Sequence, residues 1–223
     1  MEAKKLRLAV LASGSGSNLQ SIIDQCESGD LSAEIVLVLS NNPDAGALCR
    51  ANQAGIRTVC INHRDFDNRE DFDRAVVAAL QAEATELVVL AGFMRIISEV
   101  FLRAFPQRII NIHPSLLPAF PGLHVQRKAL DYGARFSGCT VHFVDGGVDT
   151  GPIIVQAVVP VHAEDTEESL AARILEQEHK IYPQAIQWIA EDRVRINGRQ
   201  VVIEHAGVPN NILMNPAYEQ SRG

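Results

Sequence analysis

Between residues 6 and 91 the chain alternates between short, nearly continuous apolar runs and segments with apolar residues at helical spacing. The runs are 6–12, 34–40, 58–61 and 87–91. The helical segments are 18–27, with Leu19, Ile22 and Ile23 in phase; 45–54, closed by Gly55 as a C-terminal cap; and 69–82, with Phe72, Val76 and Leu80. Strands alternating with helices in this way predict an α/β fold, a doubly wound and mostly parallel sheet of Rossmann-like form. In such sheets ligands bind outside the carboxyl ends of the strands. The residues that follow each apolar run are therefore the ones to search for chemistry.

Past residue 114 the rhythm changes. Residues 106–110 read as one more buried strand, followed by a loop rich in proline at 114–124 and a short helix at 126–132. Residues 140–144 alternate, 152–161 are extended, and a glycine-rich connection joins them. This predicts antiparallel edge strands after residue 136. Thr166-Glu-Glu-Ser-Leu170 looks like a helix start, with a helix running toward Ala190 and a bend expected at Pro183. A terminal hairpin is expected from 193–197 and 200–204. No repeat or composition break divides the chain, so one domain is expected over 1–205, with a loose tail at 206–223 that carries no function.

Composition narrows the function classes. With 223 residues, 47% of them apolar, a sizeable core can be buried. A net charge of −7 and the lack of a Lys/Arg block argue against nucleic acid as partner. The apolar run from Leu87 is broken by Arg95, too early for a membrane span of roughly 20 residues. Lys4, Lys5 and Arg7 ahead of residues 8–12 resemble the start of a signal peptide, but the apolar stretch is too short for one. Cys26, Cys49, Cys60 and Cys139 share no metal-ligand spacing, which suggests reduced, mostly buried thiols in a cytoplasmic protein.

Three places carry candidate chemistry. Ser13-Gly-Ser-Gly-Ser-Asn-Leu-Gln20 lies between the first strand and the first helix, where backbone N–H groups can cradle a phosphate. Gly14 and Gly16 fit the dinucleotide pattern, but Leu19 stands at its third glycine and no P-loop lysine is present, so a small monophosphate suits it better. The alternative is a plain tight turn. In Asn111-Ile-His-Pro-Ser-Leu-Leu-Pro118, Asn111 and His113 are two apart and face the same way beyond the end of a strand. An amide donor and an imidazole meet there, unless they are only a capping Asn and a satisfied loop His. Asp149, before Thr150-Gly151, could be a turn residue. His142 reads as a packed or hydrogen-bonded strand residue, Glu178 as part of a solvated helix face and Met94 as core filler.

Taken together, these segments resemble the glycinamide ribonucleotide formyltransferase family. The likeness is carried by the glycine loop, by Ala91-Gly-Phe-Met-Arg-Ile96, by the Asn111–Pro118 segment and by Val141-His-Phe-Val-Asp-Gly-Gly-Val-Asp-Thr-Gly151, in family order across most of residues 6–200. It implies transfer of a formyl group from 10-formyltetrahydrofolate, as co-substrate, to the amine of glycinamide ribonucleotide, with no metal required. By position it implies Asn111, His113 and Asp149 as catalytic residues. Ser15, Gly16, Ser17 and Asn18 would hold the substrate phosphate, and Glu178 would also meet that substrate. Arg69, Met94, Arg95, Ile96, Ile97 and Val144 would border the folate. Gly146 stands where many family members carry an acidic or bulkier residue. A deformylase of the same superfamily would be expected to have a different first loop and an N-terminal regulatory domain. A transfer RNA formyltransferase would be expected to have a basic RNA-binding domain. The partners implied are small molecules, with monomer and homodimer both open.

The implied reaction suits these residue types. Negative charge develops on oxygen as the amine attacks the formyl carbon, so donors aimed at that oxygen are needed. Asn111 and a protonated His113 can supply them. A carboxylate at Asp149 would favour the imidazolium and orient it.

Overall fold

The computed structural model describes residues 4–207 and Leu213. Its centre is a seven-stranded sheet in the order β3-β2-β1-β4-β5-β6-β7. The strands are β1 (Leu6–Leu11), β2 (Ala33–Ser40), β3 (Thr58–Cys60), β4 (Leu87–Leu90), β5 (Ile109–His113), β6 (Phe136–Phe143) and β7 (Ile153–Pro160). The first five pair in parallel, while β5–β6 and β6–β7 are antiparallel. The helices are α1 (Ser17–Ser28), α2 (Gly46–Gln53), α3 (Arg69–Ala82), α4 (Glu99–Ala104), α5 (Val125–Tyr132) and α6 (Glu167–Ala190). A separate hairpin of β8 (Val194–Asn197) and β9 (Gln200–Ile203) follows. The expected tail lies outside the described residues, apart from Ala206, Gly207 and Leu213.

The central strands β1 and β4 are buried on both faces along their apolar residues. Along β1, Leu8 and Val10 enter one core with Leu19 and Ile22 of α1 and Ile174 and Ile186 of α6. Ala9 and Leu11 point the other way, into a second core with Phe72, Val76 and Leu80 of α3 and Phe101 of α4. This is the period-2 alternation of a strand between two helical layers. The strand order reverses between β1 and β4, so the crevice above their carboxyl ends is the place for a ligand.

The long helix α6 closes that crevice from one side. Its start is a capping box: Thr166 accepts from the Ser169 backbone and Ser169 accepts from the Thr166 backbone. Pro183 lies inside the helix without ending it. A proline has no N–H to give the carbonyl four residues earlier, here His179, and that carbonyl accepts instead from Ser21 Oγ of α1 at 2.8 Å. Tyr182 is fully buried and its hydroxyl donates toward the carbonyls of Leu90 (2.8 Å) and Ile110 (3.2 Å). Burial pushes its pKa up. The phenol thereby joins α6 to the ends of β4 and β5.

Two expectations need correction. Strand β5 does not give way to a loop after Ile110 but continues to His113, with Asn111 opposite His142 and His113 opposite Thr140. Pro114 restricts the residue before it to extended backbone, which a strand end can use as readily as a loop. The thiols are not mostly buried: Cys139 is, Cys26 is half-buried, and Cys49 and Cys60 are exposed. All four are free. Burial pushes the Cys139 thiol up to about 12. No described helix is long and apolar enough to cross a membrane.

Candidate active site

The antiparallel pairing of β5 with β6 builds the site's polar floor. His142 Nδ1 lies 2.8 Å from the Phe143 carbonyl, which can only accept, so the ring proton sits on Nδ1. Nε2 is then a lone pair, 3.2 Å from Asn111 Nδ2, which donates to it. Burial lowers the His142 pKa and keeps this ring neutral, against smaller opposing effects of the Phe143 carbonyl and Asp149. One hydrogen of the Asn111 amide is thus engaged. The second remains for a ligand.

His113 is 5% exposed, and both its nitrogens face acceptors. Nε2 is 3.0 Å from the Phe120 carbonyl and Nδ1 is 3.4 Å from Asp149 Oδ2. Nε2 donates to the Phe120 carbonyl, and Nδ1 faces the carboxylate at an ion-pair distance. Asp149 adopts φ +56° and turns its carboxylate inward. Oδ2 also accepts from the Gly122 N–H at 2.8 Å, and Oδ1 lies 3.8 Å from His142 Nε2. The turn role belongs instead to Asp145, whose Oδ1 accepts from the Gly147 N–H and the Thr150 hydroxyl. Gly146 is not forced by space: an added Cβ would meet only Glu99 Oε1, at 3.3 Å.

The glycine loop forms the facing part. Gly16 has φ +77°, and a Cβ there would lie 2.7 Å from Ala47 Cα, so both conformation and close packing demand glycine. Helix α2 fixes this loop from behind: Ala47 N–H donates to the Gly14 carbonyl, and Arg50 donates to the Ser15 carbonyl (2.9 Å) and to Gln20 (3.1 Å). No side chain caps α1. Its first-turn N–H groups and the positive end of its dipole are offered to an anion. Ser15–Asn18 line a cleft of about 420 Å³ together with Gly92, Met94, Pro114, Gln126 and Glu178. A larger hollow of about 670 Å³, lined by Pro43, Asp44, Cys49 and Cys60 among others, includes none of the candidate residues.

Glu178 is not on a solvated face. It is 6% exposed, and Asn18 Nδ2 donates to its Oε2 at 2.7 Å. Burial pushes its pKa up and the Asn18 bond only partly offsets this. Asn18 Oδ1 is itself buried without a partner.

Met94 is not core filler either: it is 63% exposed, and Ile96 is 58% exposed. Arg95 is half-buried with its Nε unpartnered, while Ile97 packs on the second core. Val144, whose N–H donates to the Ile109 carbonyl, packs on the same core. Arg69 is exposed at the first turn of α3. No hydrogen bond or ion pair joins it to Met94–Ile97 among the described residues.

The structure therefore brings Asn111, His113 and Asp149 together, and separately Ser15–Asn18 and Glu178. Three contacts were not foreseen: His142 beneath Asn111, the Phe120 carbonyl on His113 and the Gly122 N–H on Asp149. Only the β5–β6 register could have flagged His142 in the sequence. Among the described residues no group of three or more His, Cys, Asp or Glu side chains is arranged for a metal ion.

A donor amide, an imidazole and a carboxylate thus stand near a glycine loop that leads into an uncapped helix. Residues 6–186 match the family model described as formyl transferase. The Escherichia coli phosphoribosylglycinamide formyltransferase is 45% identical over 204 residues, covering 92% of this chain and 96% of that protein. The trifunctional purine biosynthetic protein adenosine-3 of Drosophila melanogaster is 50% identical over 188 residues, but this chain spans only 14% of its length. Among solved structures, glycinamide ribonucleotide transformylase 1 from Symbiobacterium toebii has a TM-score of 0.89 at 50% identity, covering 91% of this chain and 95% of that one. The chain belongs to the formyl transferase family, in its phosphoribosylglycinamide formyltransferase branch.

Proposed function

We propose that this protein transfers the formyl group of 10-formyltetrahydrofolate to the amine of glycinamide ribonucleotide, giving formylglycinamide ribonucleotide and tetrahydrofolate in purine biosynthesis. The observation that carries this reading is the His113–Asp149 pair beside Asn111, with Pro114 lining the same cleft as the uncapped α1 loop. Ser15, Gly16, Ser17 and Asn18 hold the acceptor's phosphate, and the buried Glu178 meets a polar group of the same molecule. The formyl donor lies along Met94–Ile97 and Val144, with Arg69 at the outer rim.

In the reaction the amine nitrogen bonds to the formyl carbon, and the bond from that carbon to the folate nitrogen breaks. The amine loses a proton and the folate nitrogen gains one. Negative charge gathers meanwhile on the formyl oxygen. The second Asn111 amide hydrogen donates to it, and the His113 ring stands beside it, held by the Phe120 carbonyl and Asp149. Preorganised donors of this kind are each worth roughly 10²–10³ in rate. Asp149 keeps the imidazolium in place from the Nδ1 side. The free cysteines support a cytoplasmic location.

The test is acceptor dependence. Release of tetrahydrofolate should require glycinamide ribonucleotide and match the formylated product mole for mole. Formate released equally fast without the amine would replace this reading with hydrolysis.

A further inference from the structure

Two parts of the cleft come from different strands: the glycine loop after β1 and the Gly92–Ile97 segment after β4. They meet at one hydroxyl. Ser13 Oγ donates to Asn41 Oδ1 at 2.6 Å and accepts from the Met94 backbone N–H at 2.8 Å. The Ser13 N–H donates to the Gly92 carbonyl at 3.0 Å. Asn41 follows β2 and is only 5% exposed. Its Nδ2 lies 3.2 Å from His63 Nδ1, and the neighbouring Asn42 Nδ2 reaches the Ser13 carbonyl at 3.4 Å. Since β2, β1 and β4 are adjacent, the three strand ends are joined in sequence by polar contacts across the crevice.

Packing alone does little for Met94, whose side chain is mostly exposed. Its backbone N–H would also turn freely to water without the serine. The buried Asn41 side chain matters for the same reason. It supplies an acceptor that fixes the direction of the Ser13 O–H, leaving the oxygen's lone pairs toward Met94.

Resting on the reaction proposed above, we propose that Ser13, oriented by Asn41, is a positioning residue for the formyl donor. It holds the Gly92–Ile97 backbone against the glycine loop, so that the segment along which the folate lies is formed before the folate binds. A binding segment held in place beforehand spares the ligand the cost of ordering it. Neither residue touches the reacting atoms.

The test has two arms. In the first, amide hydrogen exchange is followed in the unliganded protein for wild type, Ser13→Ala, Ser13→Thr and Asn41→Ala. Ser13→Ala and Asn41→Ala should speed exchange at Met94 by about five- to tenfold, the effect of one lost hydrogen bond. Ser13→Thr, which keeps the hydroxyl, should not. In the second, Ser13→Ala should raise KM for 10-formyltetrahydrofolate by a similar factor, with KM for glycinamide ribonucleotide nearly unchanged and Ser13→Thr restoring the wild-type value. Unchanged exchange at Met94, equal rises in both KM values, or a threonine variant as impaired as alanine would each overturn the proposal. A wild-type protein that forms no formylated product would refute the reaction itself. The exchange arm would still decide whether Ser13 holds Met94.

Discussion

At the β5–β6 end of the cleft the buried polar side chains answer one another: His142 to Phe143 and Asn111, His113 to Phe120 and Asp149, Asp149 to Gly122. At the α1 end they do not. Asn18 Oδ1 has no partner, the helix has no cap, and Glu178 is buried with Asn18 as its hydrogen-bonding neighbour. The first arrangement is that of a site made rigid before a charge appears in it, as transition-state stabilisation requires. The second is that of a surface completed by a ligand, since buried polar groups without partners are destabilising until something bonds to them. On the reaction proposed above, chemistry and acceptor binding fall at different ends, and variants should separate them.

The largest effect is expected at the rigid end. Asp149→Asn keeps the side-chain size and removes the charge facing His113. Turnover should fall by roughly 10²–10⁴ while both KM values stay near wild type. Steady-state kinetics with each substrate varied in turn checks this. A large rise in either KM would mean that the two ends are not distinct.

At the open end, Gly16→Val forces a branched residue into φ +77° and sets its Cβ against Ala47. KM for glycinamide ribonucleotide should rise by about tenfold or more, through lost charge-assisted bonds to the phosphate, and KM for the folate should change little. Equal changes in both would move the phosphate away from this loop.

Glu178→Gln should raise the acceptor's KM by a few-fold, and it carries a pH signature. Burial raises the folded-state pKa of Glu178, so folding favours its protonated form. That favourable contribution is complete below the ordinary carboxylate pKa and is lost as pH rises from there through the raised folded-state pKa. The glutamine variant should therefore gain in melting temperature relative to wild type as pH rises above the ordinary carboxylate range. A gap that narrows over this range would contradict the assignment.

The smallest effect lies outside both ends. Ser21→Ala removes the donor that satisfies the His179 carbonyl opposite Pro183. Stability should drop by about 1 kcal/mol in denaturant unfolding, with kinetics unchanged.

These contrasts also explain how much could be read from the sequence. The parallel half of the sheet was legible because its central strands are buried on both faces and its helices on one, and apolar periodicity records both. Asn111 and His113 could be singled out by type and spacing, and Asp149 only through the family resemblance. What escaped depended on pairing or on backbone. His142 enters the site through antiparallel register, which a one-residue slip would alter. The Phe120 carbonyl and Gly122 N–H are groups that nearly every residue possesses, so no letter marks them. The burial of Glu178 follows from how α6 lies against α1, a tertiary fact. Its charged neighbours in sequence suggested the opposite. The end of β5 was misplaced because Pro114 restricts His113 equally well in a strand and in a loop.

The central claim is that Asp149 acts through His113, as one unit at the rigid end. A double-mutant cycle with Asp149→Asn, His113→Ala and the two combined tests it most directly. If the claim holds, the double variant will turn over hardly more slowly than the worse single variant, because either change alone disables the pair. Losses that add in full would show the two residues working independently, and would contradict it.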